Sequence, residues 1–301
     1  MVSTAESSAA RNREGWRIRG AVAEAAHPRR RKKSGTADEA RGSHYFAARE
    51  VAANFVKIET PDAKTETEKF LFYRGVGAFE APLKVALEGT DATELRLTNN
   101  GGEPLEAMYA VSVRAGTLAF APVGKMAARE SVVAQIPAAA QGADQSADLA
   151  RELRESLEKA GLRADEAAAM VKTWEKSWLA ETGVRVLYVL PRAWTDRTLP
   201  LTLAPAPREI ARVMVGRAEV LLPPVERALQ TQIEHFQKGD EAGKSDAIAA
   251  ARALDLGRFA EPAVRHLCLA DPKNREFSNA AWQLLNAAYA PKPAATETAA
   301  R

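Results

Sequence analysis

The sequence predicts an α+β fold, in which an antiparallel β-sandwich-like or partly closed barrel domain carries an inserted helical pair and a C-terminal helical region. Between about residue 51 and residue 137, short segments of alternating apolar residues recur between turn residues, as is typical of antiparallel strands. From residue 149, and again from residue 223, apolar residues recur every three or four positions, as is typical of amphipathic helices. A second group of strand-like segments separates the two helical regions, which favours a mixed fold.

Two predicted strands of the first half share one pattern, in which apolar residues point to one face and polar residues to the other. PLKVALEG and ELRLTNNGG show it, and the Asn-Asn-Gly-Gly run after the second is a strong turn signal. ESVVAQIP is predicted to be one more strand, which stops at Pro137. EAMYAVSVRAGTLAFAPV predicts a hairpin that turns at Ala115-Gly116.

KFLFYRG is predicted to be a strand with large residues on both faces. Phe70 and Phe72 would point one way, and Leu71 and Tyr73 the other. Apolar groups on both faces are typical of a strand that is covered on both sides. We therefore expect these four side chains to be substantially buried.

The helical pair is predicted from leucines at positions 149, 153 and 157, with Gly161 ending the first helix. We expect Asp165 to be the N-cap of the second helix, with Trp174 and Trp178 on its apolar face and Gly183 closing it. VRVLYVL, LPLTLAP and IARVMVGRAEVLLP are predicted strands, and a loop punctuated by proline joins the first two. A helix follows Pro223-Pro224, and shorter helices follow near 245–256, 261–269 and 274–289.

These patterns suggest six successive regions. They are a disordered basic leader (1–42), a β-rich domain (43–137), a linker and helical pair (138–183), strands that complete the β-domain (184–222), a C-terminal helical region (223–290) and a disordered tail (291–301).

The positive charge of the chain is concentrated in its leader. Residues 1–42 contain ten Lys or Arg against five Asp or Glu, and since the net charge of the chain is +3, residues 43–301 carry −2. A nearly neutral body argues against a nucleic-acid-binding surface there. A disordered tail is the favoured interpretation of the leader. The alternative is contact with nucleic acid or lipid headgroups through Arg29, Arg30, Arg31, Lys32 and Lys33.

No cofactor or metal site is expected from the motifs. GDEAGKSD has three residues between its first glycine and Gly-Lys where a phosphate-binding loop needs four, and Ser245 is better interpreted as a helix N-cap. Gly75-Val76-Gly77 lacks the third glycine of a dinucleotide fingerprint. The four histidines do not pair at metal-binding spacing, and the single cysteine, Cys268, is expected to be a buried hydrophobe.

A few polar and aromatic residues remain as site candidates. His44, Glu50, Tyr73 and Arg74 could line a cleft at the junction of the β-domain and the helices, although structural hydrogen bonding is the default interpretation. The two tryptophans could form an aromatic platform, but core packing is favoured because they align with Val171. Arg212, Arg217 and Glu219 flank a predicted strand and could form ion pairs across it. The default interpretation is that they lie on a solvated face of the sheet.

Several stretches together resemble a family of uncharacterised bacterial proteins over residues 44–265. They are HYFAARE, EKFLFYRGVGAF, AAAMVKTWEKSW, RVLYVLPRAW, LPLTLAPAP, RVMVGRAEVLLP and LGRFAEP. The resemblance implies envelope or exported proteins with a longer N-terminal portion, and no catalytic residue can be transferred from it. This chain departs from that pattern because its leader is basic and has no secretory apolar core.

We therefore expect a non-enzymatic binding or structural protein, of the bacterial envelope if the resemblance holds, with another protein as its partner. The alternative is a hydrolase-like enzyme whose site is assembled at the β/helix junction. No run approaches the roughly 18 apolar residues of a membrane helix. The cytoplasm is the default location, and the periplasm or envelope follows if the true start lies upstream.

Overall fold

A computed structural model of the chain describes residues 21–23, 46–59, 65–70, 79–89, 92–138 and 143–289. They belong to two compact units, residues 1–218 and residues 219–301. The described part confirms the α+β class, with antiparallel strand pairs and helices.

The described strands form three sheets. Their orders are β1-β2-β3, β4-β5-β8 and β10-β9-β6-β7. The bounds are β1 (Ala21–Ala23), β2 (Val56–Glu59), β3 (Thr65–Glu68), β4 (Leu83–Glu88), β5 (Glu94–Asn99), β6 (Met108–Arg114), β7 (Thr117–Pro122), β8 (Ser131–Gln135), β9 (Gly183–Val189) and β10 (Val215–Val220).

The four described helices of the first unit lie before, between and after these strands. They are α1 (Phe46–Glu50), α2 (Ser146–Lys159), α3 (Ala164–Glu175) and α4 (Arg192–Thr198), and a π-helical turn (Lys176–Ala180) continues α3. The helical pair is confirmed, since the apolar stripe of α2 is fully buried and Gly161 follows the helix with a φ of +113°.

The main core of the first unit lies between the four-stranded sheet and the α2–α3 pair. Tyr109, Val111 and Val113 of β6 pack there with the α2 leucines, Val171 and Trp178. The intervening residues of β6 are buried as well, so this strand is covered on both faces. Gly216 of β10 lies so close to β9 that a Cβ atom at this position would fall 2.4 Å from the Tyr188 ring, which explains why only glycine fits.

The sheet of β4, β5 and β8 follows the predicted alternation. Leu95 and Leu97 of β5 are fully buried, and β5 pairs in antiparallel register with both neighbours. Buried Asn99 ends β5, and its side chain donates to the carbonyls of Glu103 and Ala127 and accepts from the amide of Gly101. The predicted turn after this strand is therefore held by an asparagine side chain.

The prediction of a strand over KFLFYRG is wrong where it can be compared with the structure. β3 ends at Glu68, and Lys69 and the partly buried Phe70 lie in a bend. Residues 71–78 lie outside the described residues. The Lys69 side chain donates to the carbonyl of Val51 at 3.0 Å, which links the bend to the residue that follows α1.

Two further corrections concern the segment after β9. The loop predicted after VRVLYVL contains the helix α4, and LPLTLAP has no strand partner. IARVMVGRAEVLLP does contain a strand, but only from Val215 to Val220. Period-two leucines predict a strand only if another strand is available to pair with them, and here Leu201 and Leu203 remain exposed.

Two predicted N-caps are also wrong. α3 starts one residue before Asp165, with Arg163 as its N-cap, and the Asp165 carboxylate accepts from the amide of Ala52 at 2.8 Å. Gly183, predicted to close this helix, instead begins β9. In the second unit, Asp240 rather than Ser245 caps a helix, because its side chain accepts from the amide of Gly243.

Beyond the end of β10, the second unit is mainly helical over its described residues. Its helices are α5 (Pro223–Lys238), α6 (Glu241–Ala253), α7 (Ala260–Ala270) and α8 (Arg275–Tyr289). The predicted stripe of α5 is confirmed, since Leu229, Ile233 and Phe236 are buried in a core shared with the other three helices. Cys268 is partly buried against that core.

Candidate interaction loop

The helix α4 is anchored to the first unit by its buried side chains. Trp194 and Thr195 are buried, and the Thr195 hydroxyl donates to the carbonyl of Pro191 at 3.1 Å. The Phe79 ring meets the Trp194 ring edge-on, with 5.6 Å between the centroids. On the exposed side, Arg197 makes a two-pronged ion pair with Glu103, whose shorter distance is 2.7 Å. The helix is therefore a fixed base for the segment that follows it.

A single carboxylate joins α4 to the chain beyond the next loop. Asp196 accepts from Arg192 Nε at 2.5 Å and from Arg212 Nη1 at 2.8 Å. Arg192 also donates to the carbonyl of Ile210 at 2.7 Å, and Arg212 donates to the carbonyl of Leu199 at 2.6 Å. We call this set of three side chains, Asp196 with Arg192 and Arg212, the Asp196 clamp.

The segment between the clamped ends is exposed throughout. We call residues 200–209 the leucine loop, since each of them is exposed and two are leucines. Leu201 and Leu203 are 45% and 44% exposed, among the highest values for large apolar side chains in the described residues. Loops that a rigid scaffold positions often carry binding residues.

Arginine donors favour the ionised form of the two carboxylates that flank the loop. Hydrogen bonds from Arg192 and Arg212 lower the pKa of the Asp196 carboxyl below its ordinary value. The hydrogen bond from Arg197 does the same to the pKa of Glu103. Both carboxylates therefore stay ionised at neutral and mildly acidic pH, so their ion pairs persist over that range.

Of the four predicted cleft residues, only Glu50 lies within the described part of the chain. Glu50, at the end of α1, is exposed and makes an ion pair with Lys172 of α3 at 3.2 Å. His44, Tyr73 and Arg74 lie outside the described residues, as do Arg29, Arg30, Arg31, Lys32 and Lys33. Those positions stay predictions.

The other sequence candidates make structural contacts. Trp174 and Trp178 stack with centroids 6.3 Å apart, and Trp178 is buried, which confirms core packing. Arg217 pairs with Glu181 at 2.7 Å, and the side chains of Arg212 and Arg217 are largely buried rather than on a solvated face.

Sequence reasoning missed Asp196 and Arg192 because it predicted no helix at that point. The available signal was their spacing of four residues in RAWTDRT, which places opposite charges on one helical face. Pro191 directly before the helix was a second signal, since it is compatible with a helix start and not with a continuing strand.

The described residues contain no group of three or more His, Cys, Asp or Glu side chains arranged to hold a metal ion. Within the same ranges, none of the helices has both the length and the hydrophobicity needed to cross a bilayer. Comparisons of the chain with protein-family models, with curated proteins and with solved structures find no match.

Proposed function

We propose that this chain is a non-enzymatic binding protein that contacts another protein through the leucine loop. The observation that supports this is the exposure of Leu201 and Leu203 on a loop whose two ends are held by the Asp196 clamp. When a partner covers an exposed leucine, the free energy of the system falls by about 25 cal/mol for each Å² of apolar surface removed from solvent.

Fixed loop ends favour binding for a separate reason. Association has to offset the entropy lost when side chains and loops are ordered at an interface. Because hydrogen bonds to Leu199 and Ile210 already restrict the loop ends, less of that cost remains at the moment of binding. The location in the bacterial envelope that the sequence resemblance implies belongs to the same proposal, and cell fractionation of the source organism tests it.

A capture experiment tests the binding function. The full chain is immobilised and exposed to an extract of the source organism, alongside the double variant Leu201→Ser/Leu203→Ser and the control Leu269→Ser. Leu269 is a suitable control because it is 68% exposed but belongs to α7 of the second unit. Captured proteins are identified by mass spectrometry, and the binding of each is then measured with purified components.

The proposal predicts a protein that the wild type and Leu269→Ser capture and that the loop variant loses. Equal capture by all three chains would show that the leucines do not contact the partner. Recovery of no specific protein by the wild type would count against the binding function itself.

A further inference from the structure

We propose that Asp196 is a positioning residue, whose carboxylate holds the leucine loop in one arrangement for partner binding. The part of this inference that concerns binding rests on the proposed function. The part that concerns the loop's conformation depends only on the clamp geometry.

The two arginines of the clamp reach across the loop in opposite directions. Arg192 precedes the loop and donates to Ile210 beyond its end, while Arg212 follows the loop and donates to Leu199 before its start. Each guanidinium therefore links one end of the loop to the other, and the two bonds together hold the ends close to each other.

Asp196 makes this crossed arrangement stable. Its two oxygens accept from different arginines, Oδ2 from Arg192 and Oδ1 from Arg212. Without the carboxylate, two guanidinium groups would lie close together with only carbonyl oxygens between them, and their like charges would repel. We therefore expect the loss of this one charge to release both ends of the loop.

The effect should be local. The pair of Asp196 with Arg192 is exposed, and exposed ion pairs contribute little to the global stability of a protein. Arg212 is largely buried, but without Asp196 its guanidinium still has the carbonyl of Leu199 as a hydrogen-bond acceptor. The fold of the unit depends instead on the buried side chains of α4 and of the main core. Salt should loosen the clamp, because exposed charge pairs are screened at raised ionic strength.

A spin label on Thr202, in the middle of the leucine loop, reports its conformation directly. The label is attached through Thr202→Cys in a Cys268→Ser background, and electron paramagnetic resonance spectra are recorded for the full chain. Asp196→Asn is compared with Arg197→Gln, a control that removes an ion pair from the exposed side of the same helix without touching the loop ends. Asp196→Glu tests rescue by a carboxylate.

We expect a restricted spectrum for the parent chain, a mobile spectrum for Asp196→Asn, no change for Arg197→Gln and a partial return for Asp196→Glu. Raised salt should mobilise the parent and leave Asp196→Asn unchanged. A label that is equally mobile in the parent and Asp196→Asn, or that responds equally to Arg197→Gln, would overturn the clamp. Thermal unfolding of each variant checks that the fold is intact.

The binding part is measured with the partner purified from the capture experiment. Asp196→Asn should weaken its affinity about two- to tenfold, because the partner then has to order the loop itself. Unchanged affinity with a mobilised loop would refute the positioning role while leaving the clamp and the proposed function in place. If no partner is captured, the proposed function fails and the spectra still decide the conformational part.

Discussion

Arg185 is a fully buried cation in the central strand β9, and its role is to satisfy backbone carbonyls. Its guanidinium donates to the carbonyls of Ser177 and Trp178, each at 3.1 Å, and to that of Glu181. Arg217 adds a bond to the Ser177 carbonyl. The last carbonyls of a helix have no partner within the helix and attract cations, so the two arginines stabilise the π-helical turn that ends α3.

Replacing Arg185 with methionine should lower the free energy of unfolding by about 3 kcal/mol or more, because buried carbonyls would lose their donors at about 1–3 kcal/mol each. Chemical denaturation measures the change. Arg114→Met, on the exposed end of the neighbouring strand β6, is the control and should have little effect. An Arg185→Met variant as stable as the parent would show that the carbonyls find other donors.

The hydroxyl of Tyr188 is expected to titrate at a higher pH than an ordinary tyrosine. Burial raises the pKa of its hydroxyl from an ordinary value of 10.0 to about 12. Because the folded-state pKa is raised, the neutral hydroxyl contributes stability that is fully present below pH 10 and is lost as the pH rises through about 12. Tyrosinate absorbance should show a component with a midpoint near pH 12 that Tyr188→Phe lacks. Identical titrations of the two chains would contradict this.

At the scale of elements, the stripe of α2 is the part of the main core that is easiest to test. Leu153 is fully buried in the middle of the helix, between Leu149 and Leu157. Leu153→Ala should lower the free energy of unfolding by about 2–5 kcal/mol, because it removes buried methyl groups and leaves a cavity.

Arg154 is the matched control for that stripe, since it is the next residue of the same helix and is exposed. Arg154→Ala should change the free energy of unfolding by no more than about 0.5 kcal/mol. Similar losses in the two variants would mean that α2 does not contribute its leucines to a shared core.

Sequence patterns predicted the segment from α4 to β10 least well. The alternating leucines of LPLTLAP resemble a strand, and the seven residues of α4 are too few to show a helical period clearly. The position of this segment depends on contacts between residues that are distant in sequence, Arg197 with Glu103 and Arg212 with Asp196. Local propensity contains no information about such pairs.

At the scale of the whole molecule, the second unit has a core of its own. Leu229, Ile233, Ala281 and Leu284 are buried among its four helices. We predict that residues 219–301 fold when expressed alone, giving a helical circular dichroism spectrum and a cooperative thermal transition. Ile233→Asn should abolish the transition, because an amide at a fully buried position lacks partners. A fragment without cooperative unfolding would show that this core is insufficient by itself.

The sequence by itself determined the α+β class, the hairpin of β6 and β7, the α2 stripe and the start of the C-terminal helices. These features follow from periodicity and turn chemistry, which act between residues close together in the chain. The candidate site residues His44, Tyr73 and Arg74 and the basic run of the leader stay predictions.

Only the tertiary structure decided that β9 lies beside β6, that Arg185 is buried and that Asp196 joins the two ends of the leucine loop. Each of these depends on groups brought together from distant positions. The burial of a charged side chain in particular is unfavourable until the fold supplies its hydrogen-bond partners. No local pattern in the sequence can therefore predict it.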